Sequence, residues 1–356
     1  MYDYNKIVED LLKWYDAHAR DLPWRREPKP YYVWVSEIML QQTRVEAVKG
    51  YFTRFIEALP NIEALANAPE EQLLKLWEGL GYYNRVRNLQ KAAITVMEEF
   101  HGELPADYKE LLTLKGIGTY TAGAIASIAY GIQVPAVDGN VLRVMKRLAG
   151  SYDDIMKASV KKEMEQTLSS VVPVRAGAFN QAIMDLGALV CIPNGMPLCE
   201  QCPLAAHCIA REKGIQLELP VKTKKKSRRI EEKTILLLEY QGKYAIQKRA
   251  NKGLLAGLWE LPSVEGKYSE QEIRTILKEE NQQADIYELG AGQHIFSHIE
   301  WSMVGYHNYI GKTDRRGYLC VGNKTGIAGH VCDSDRIFNL SKRLHFLTRI
   351  VIVIVE

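Results

Sequence analysis

Four cysteines crowd into one short stretch: Cys191, seven residues, Cys199, two residues, Cys202, five residues, Cys208. Thiolates at such spacing ligate zinc or an iron–sulfur cluster. A disulfide-stapled chain would spread its cysteines between distant loops. Structural zinc sites often pair two Cys-x-x-Cys units, and only one is present here. The asymmetry favours a [4Fe–4S] cluster held by all four, with zinc as the alternative. A second feature is Leu114-Lys115-Gly116-Ile117-Gly118-Thr119-Tyr120-Thr121. Gly116 and Gly118 make a tight turn before a helix, where exposed amides and the helix dipole can hold an anion. Alone, a Gly-x-Gly turn is most often only a turn; Tyr120 and Asp138, following in the same helical context, add weight. Two carboxylates complete the set. Glu37 lies among Trp34, Val35, Ile38, Met39 and Leu40. Apolar surroundings raise a carboxyl pKa and suit a general acid near neutral pH. By residue type alone, Glu37 reads equally as an exposed helix carboxylate. Asp138, before Gly139-Asn140, reads as a helix N-cap.

Helices must position these groups. Ile7, Leu11, Leu12, Trp14 and Tyr15 form an apolar stripe at helical spacing. Further helices are expected at 32–44, 47–58, 70–78, 84–100, 121–130, 140–148, 160–168 and 177–190, separated by proline and glycine breaks. The chain has 356 residues, and domains average about 150 residues, so two domains are expected. Between them Lys222, Lys224, Lys225, Lys226, Arg228 and Arg229 gather six positive charges with no acidic residue among them, either a solvated connector or a nucleic-acid contact. The whole chain carries only +3, so the remainder carries −3. Beyond this run the texture becomes β-like. A hairpin about Gln241-Gly242, a helix at 270–279 and strands at 287–296 and 301–310 are expected. The expected layout is an all-α domain at 1–215 that includes the cysteine loop, a basic linker at 216–232 and a smaller α+β domain at 233–356. Hydrophobic content of 47% and charged content of 25% suit a globular chain. No apolar run nears the roughly 20 residues that span a bilayer, and the N-terminus lacks a signal-peptide pattern. A cytoplasmic location, with no membrane partner, is the expectation.

Several segments together carry a resemblance. They are Leu22-Pro23-Trp24-Arg25, Glu37-Ile38-Met39-Leu40-Gln41-Gln42-Thr43, Trp77-Glu78-Gly79-Leu80-Gly81-Tyr82-Tyr83, the hairpin at 114–122, Val137-Asp138-Gly139-Asn140 and the four cysteines. Over about residues 5–305 the chain resembles the helix-hairpin-helix DNA glycosylase superfamily, and within it the MutY family of adenine glycosylases. The resemblance implies base excision repair of double-stranded DNA, with removal of adenine mispaired with 8-oxoguanine or guanine. It implies a monomer working at a bacterial-type nucleoid, with a [4Fe–4S] cluster on Cys191, Cys199, Cys202 and Cys208. The first cysteine gap, 192–198, is one residue longer than the six usual in the family. In the family the residue matching Glu37 protonates the imidazole side of the adenine. The one matching Asp138 stabilises an oxocarbenium-like sugar, the logic of glycoside hydrolysis; Asn140 belongs to the same motif. Tyr120 stands where the endonuclease III branch has a Schiff-base lysine. A phenol forms no imine, so a monofunctional enzyme that leaves an abasic site is implied. Gln42, Leu80 and Tyr82, with Thr43 beside them, match residues that fill the gap left by an extruded base. Trp24 and Arg25 match the adenine pocket, as wall and as donor, and Gly116 and Gly118 match a phosphate contact. Residue type alone would make Trp24, Leu80 and Tyr82 core residues.

In the second domain, Leu258-Trp259-Glu260-Leu261-Pro262 and His294-Ile295-Phe296-Ser297-His298 resemble the Nudix-like C-terminal domain of the same family. No Arg-Glu-x-x-Glu-Glu array is present, so binding without nucleotide hydrolysis is implied. Phe296, Ser297 and His298 match the loop that recognises 8-oxoguanine, with a ring to stack and two polar groups for the base edge. Residue type alone makes them a strand end. After about Tyr306 the resemblance is lost. The stretch 307–356 holds two isolated cysteines, Cys320 and Cys332, and lacks the patterning needed to close the domain. It reads as divergent or frame-shifted, with an aggregation-prone run at 350–355.

Overall fold

The computed structural model describes residues 2–223, 227–240, 243–250, 252–279, 284–310, 319–320 and 328–332. The chain divides into two units, Met1–Lys224 and Lys225–Glu356. The first contains helices α1 (Val8–His18), α2 (Pro23–Arg26), α3 (Pro30–Leu40), α4 (Val45–Ala58), α5 (Ile62–Asn67), α6 (Glu70–Leu76) and α7 (Asn84–Glu99). These are followed by α8 (Tyr108–Leu111), α9 (Thr119–Tyr130), α10 (Gly139–Leu148), α11 (Ala158–Ser169), α12 (Ala176–Leu189) and α13 (Ile209–Glu212). The unexpected helices α2, α5, α8 and α13 are too short to show a period. Helix α3 ends at Leu40, not at 44 as expected, because Gln42 takes a left-handed φ of 61°.

Helices α3 and α9 are apolar on nearly every side and are correspondingly buried. They pack on each other, and α9 also packs on α12, which in turn packs on α10. Gly123 sets one approach: a Cβ there would lie 2.2 Å from the carbonyl oxygen of Pro135. Fully buried Asn180 on α12 fastens the passing segment, donating to the Val134 carbonyl and accepting from the Ala136 amide. These contacts bring Asp138, at the head of α10, toward the start of α9. Ile7, Leu11, Val144, Phe179 and Ile183 build a core against which Cys191, Cys202 and Cys208 pack.

Among the described residues of the second unit the strands are β1 (Arg229–Tyr240), β2 (Lys243–Lys248), β3 (Trp259–Glu260), β4 (Ser263–Glu265), β5 (Ala284–Ile295), β6 (Ile299–Ile310), β7 (Leu319–Cys320) and β8 (Ala328–Cys332), with one helix, α14 (Glu270–Glu279). The main sheet runs β5-β6-β1-β2-β8-β7, with β3 on β2 and β4 on β1. Strands β1 and β6 are parallel and the other pairs antiparallel. Both faces of β1 are covered. Ile235 and Leu237 join one cluster, Leu236 and Leu238 another that includes Ile273 of α14. This explains the unbroken aliphatic run, since a strand buried on both sides need not alternate.

The expected linker, 216–232, is partly structured. Leu219 is buried and its carbonyl accepts from Arg147, and the Val221 carbonyl accepts from Ile155. Strand β1 already pairs with β6 at Arg229. Lys224, Lys225 and Lys226 lie outside the described residues. The patterning expected to be missing after Tyr306 is partly present, because β8 pairs with β2 and β7 with β8. Most of 311–356, including 350–355, lies outside the described residues. No described helix is long and apolar enough to cross a membrane.

Candidate active site

Glu37 lies on α3, which buries Trp34, Val35, Ile38 and Met39 around it, and is itself only 5% exposed. The exposed-carboxylate reading is therefore wrong: a helix covered on all sides carries its charged residue inward with the rest. Tyr120, in the first turn of α9, donates its hydroxyl to Glu37 Oε2 at 2.7 Å. Desolvation by burial pushes the Glu37 carboxyl up to about 7, against the opposing Tyr120 hydrogen bond and the Arg25 charge. Burial likewise holds the Tyr120 phenol protonated well beyond its usual range.

Asp138 fills both roles that its sequence left open. It caps α10, with Oδ1 accepting from the amides of Asn140 and Val141 at 2.8 Å each, while Asn140 Nδ2 donates to Oδ2 at 2.6 Å. It also lines the same cavity as Glu37. Burial raises its carboxyl pKa, and the hydrogen bonds from Val141 and Asn140 oppose that rise. The cavity, about 170 Å³, is also lined by Trp24, Arg25, Thr43, Tyr120, Asn140, Gln181 and Met184. It thus holds one carboxyl poised to donate a proton and a second carboxylate fixed by three hydrogen bonds, with no amine nucleophile among its described lining residues.

Arg25 departs from expectation. It lines the cavity, but its two terminal nitrogens fork onto Asp185 at 2.7 and 2.9 Å instead of standing free as donors. Asp185 is fully buried and also takes Arg20 Nε at 2.8 Å. The sequence reading missed Asp185. The signal was a charged residue inside the apolar run of α12, where the period forces burial. Trp24 is buried edge-on against Phe52 and reaches the cavity as well, so it is core and wall together.

At the hairpin, Gly116 has φ +85°, open to glycine but strained for other residues. Gly118 is the N-cap of α9 in extended backbone, and no side chain caps the helix there. Gln42 is exposed, Tyr82 is 47% exposed at φ +51°, and Leu80 is buried. Leu80, matched by resemblance to a residue that fills the gap left by an extruded base, is thus packed inward, as its residue type alone suggested.

The four cysteines line one pocket with Val144, Leu148, Leu204 and Arg147. Arg147 approaches Cys191 Sγ at 3.3 Å, and Arg143 donates to the Cys191 carbonyl. Four soft sulfur donors on one apolar hollow match the chemistry of an iron–sulfur ligand set. Among the described residues, no three His, Cys, Asp or Glu side chains close around a point as ligands of a single ion.

In the second unit, Phe296, Ser297 and His298 form the turn between β5 and β6. Phe296 stacks edge-on against Trp301 and lies against His294, while Ser297 and His298 are exposed. Arg228 donates to the Phe296 carbonyl and the Arg229 amide to the His298 carbonyl. The end of the basic run therefore holds this turn, which its composition did not reveal.

Comparison with known proteins fits this geometry. Residues 35–173 match the family described as HhH-GPD superfamily base excision DNA repair protein, and residues 234–322 match the NUDIX domain. The second match runs past Tyr306, where the resemblance was expected to end. A human adenine DNA glycosylase is 39% identical over 352 residues, spanning 82% of this chain and 64% of its own length. The Buchnera aphidicola (Schizaphis graminum) adenine DNA glycosylase is 36% identical over 259 residues, covering 72% and 74%. Among solved structures, a thermostable thymine-DNA glycosylase superposes with a TM-score of 0.53 at 29% identity, covering 59% of this chain and 97% of its own. A non-covalent endonuclease III–DNA complex gives 0.52 at 27%, covering 61% and 100%. With both domain matches in this order and relatives of this identity over most of their length, the chain belongs to the adenine DNA glycosylase family.

Proposed function

We propose that this chain excises adenine mispaired with 8-oxoguanine or guanine in double-stranded DNA and leaves an abasic site. The observation that carries the reading is the buried Glu37, its pKa near 7, bonded to Tyr120 across a cavity from Asp138. The extruded adenine enters the cavity, and Glu37 gives its proton to the imidazole side of the base. The glycosidic bond breaks with its electron pair leaving on the adenine. The Asp138 carboxylate stabilises the positive charge on the sugar. Water then adds to the sugar carbon, and the proton it loses restores the acid. Tyr120 supplies no amine, so no imine links enzyme to sugar. Cys191, Cys199, Cys202 and Cys208 would hold a [4Fe–4S] cluster with a structural role. The turn at Phe296, Ser297 and His298 would read 8-oxoguanine, and the chain would act as a monomer. Single-turnover assays on duplexes with A opposite 8-oxoguanine, C opposite 8-oxoguanine, and thymine glycol test the reading. Excision is expected from the first alone. Release from the thymine glycol duplex without adenine release would replace it with the pyrimidine chemistry of the endonuclease III branch.

A further inference from the structure

One guanidinium joins the two loops to which the proposed duplex-opening residues belong. Arg85, in the first turn of α7, donates from Nη1 to the carbonyls of Ile38 at 2.9 Å, Met39 at 3.0 Å and Gln41 at 2.6 Å. From Nη2 it reaches the carbonyls of Leu80 and Gly81, both at 3.0 Å, and Thr43 Oγ1 at 3.4 Å. The rings of Trp77 and Tyr82 also flank it, 5.3 and 5.5 Å from its central carbon. These partners include no carboxylate. A half-buried cation needs compensation, and here five carbonyl dipoles supply it.

The carbonyls it takes at the end of α3 are ones the helix leaves open, and it shares the Gly81 carbonyl with the Trp77 indole N–H at 3.2 Å. Helix α3 stops at Leu40, so its last turn has carbonyls with no amide four residues on. Both loops contain residues in left-handed backbone, at φ 61° for Gln42 and 51° for Tyr82. Such conformations in non-glycine residues persist only where the surroundings enforce them.

We propose that Arg85 is a positioning residue for duplex opening: it locks the Gln42 turn and the Leu80–Tyr82 loop into a single rigid wedge. The proposal rests on the assignment of Gln42, Leu80 and Tyr82 to base extrusion made above. Only a planar fork can face both loops at once and lie between two rings; an ammonium presents its donors from one point.

The test uses Arg85→Lys and Arg85→Gln in the full chain. Excision of adenine opposite 8-oxoguanine is followed in single turnover. Extrusion is followed separately, by fluorescence of 2-aminopurine opposite 8-oxoguanine, with each variant combined with Glu37→Gln to stop chemistry. Circular dichroism monitors folding. Excision is expected to slow by about 100-fold, the scale of a misplacement near 1 Å, and the extrusion signal to vanish. Affinity for undamaged duplex should persist, because it depends on phosphate contacts elsewhere. Excision at the wild-type rate by either variant overturns the proposal. So does slow excision with a full extrusion signal, which would place the effect on Glu37. Failure of both variants to fold also overturns it, because Arg85 would then be a folding residue. Wild-type protein in the same assays tests the enzymatic reading on its own, and the variant-to-wild-type extrusion ratio tests Arg85 whether or not adenine is released.

Discussion

At the scale of the residue, Glu37 is the clearest case of environment setting chemistry. A helix carboxylate is ordinarily ionised at neutral pH, but burial pushes this one up to about 7. In the proposed reaction the acid form acts, so kcat/KM, which follows the free protein, should fall as pH rises through about 7. Glu37→Gln keeps the shape without the proton, and should retain duplex binding while excision drops by at least about 100-fold. Excision by that variant at the wild-type rate would remove Glu37 from the mechanism. The same shift has a stability consequence. The folded-state pKa lies above the unfolded value of 4.5, so Glu37 favours the fold fully below about 4.5 and loses that contribution as pH rises through about 7. Glu37→Gln should therefore raise Tm at pH 8, by up to about 3 kcal/mol in stability, and leave it near wild type at pH 4. Tyr120 carries a prediction of the opposite kind. Borohydride should trap no enzyme–DNA adduct, since no described residue lining the cavity carries an amine, and a strong trapped band would reassign the nucleophile.

At the scale of the element, Gly123 and Gly116 do different work. Gly123 lets the segment ending at Asp138 pass against α9, where a Cβ would collide with the Pro135 backbone at 2.2 Å. Gly123→Ala should cost about 1–3 kcal/mol in denaturant unfolding and slow excision as well, because the clash pushes Asp138 away from Glu37. Gly116→Ala meets a left-handed φ with the Asn88 side chain 3.0 Å from the new carbon. It should weaken DNA binding through the hairpin more than it slows chemistry, measured as a rise in Kd with little change in single-turnover rate at saturation. Equal losses in the two measurements would show that the hairpin orders the cavity directly. Helix α3 shows why element limits were harder to read than element existence. Its pattern continues to 44 in sequence, but the backbone turns at Gln42, where the open carbonyls are taken by Arg85, a residue of α7.

At the scale of the whole molecule, the charge of +3 conceals a run of six cations on a chain otherwise carrying −3. Half of that run, Lys224, Lys225 and Lys226, forms its continuous core. Replacing those three by Gln should weaken binding to every duplex sequence alike, and reduce the slope of log K against log salt by about 0.9 for each phosphate that is no longer neutralised. An unchanged slope would make the run a connector alone. The other end of the run, Arg228 and Arg229, anchors the turn at Phe296, Ser297 and His298. Phe296→Ala should thus lower the preference for A opposite 8-oxoguanine over A opposite G while leaving the first unit's chemistry in place.

The sequence alone determined the features whose chemistry is local. The four cysteines, the Gly116–Gly118 turn, the missing lysine at 120, and the change from helical to strand patterning near the basic run all depend on neighbours along the chain. Spacing is the physical cause there, so spacing could be read. Only the tertiary structure decided the rest. Glu37, Tyr120 and Asp138 are far apart in sequence and become one site because α3, α9 and the segment before α10 pack at distances that small residues permit. Burial, not residue type, made Glu37 an acid. Pairing of Arg25 with Asp185, and of Arg85 with the carbonyls of two loops, follows from contacts that form once apolar faces close. A charged residue's partner is chosen by the space left after packing, and no period along the chain records it.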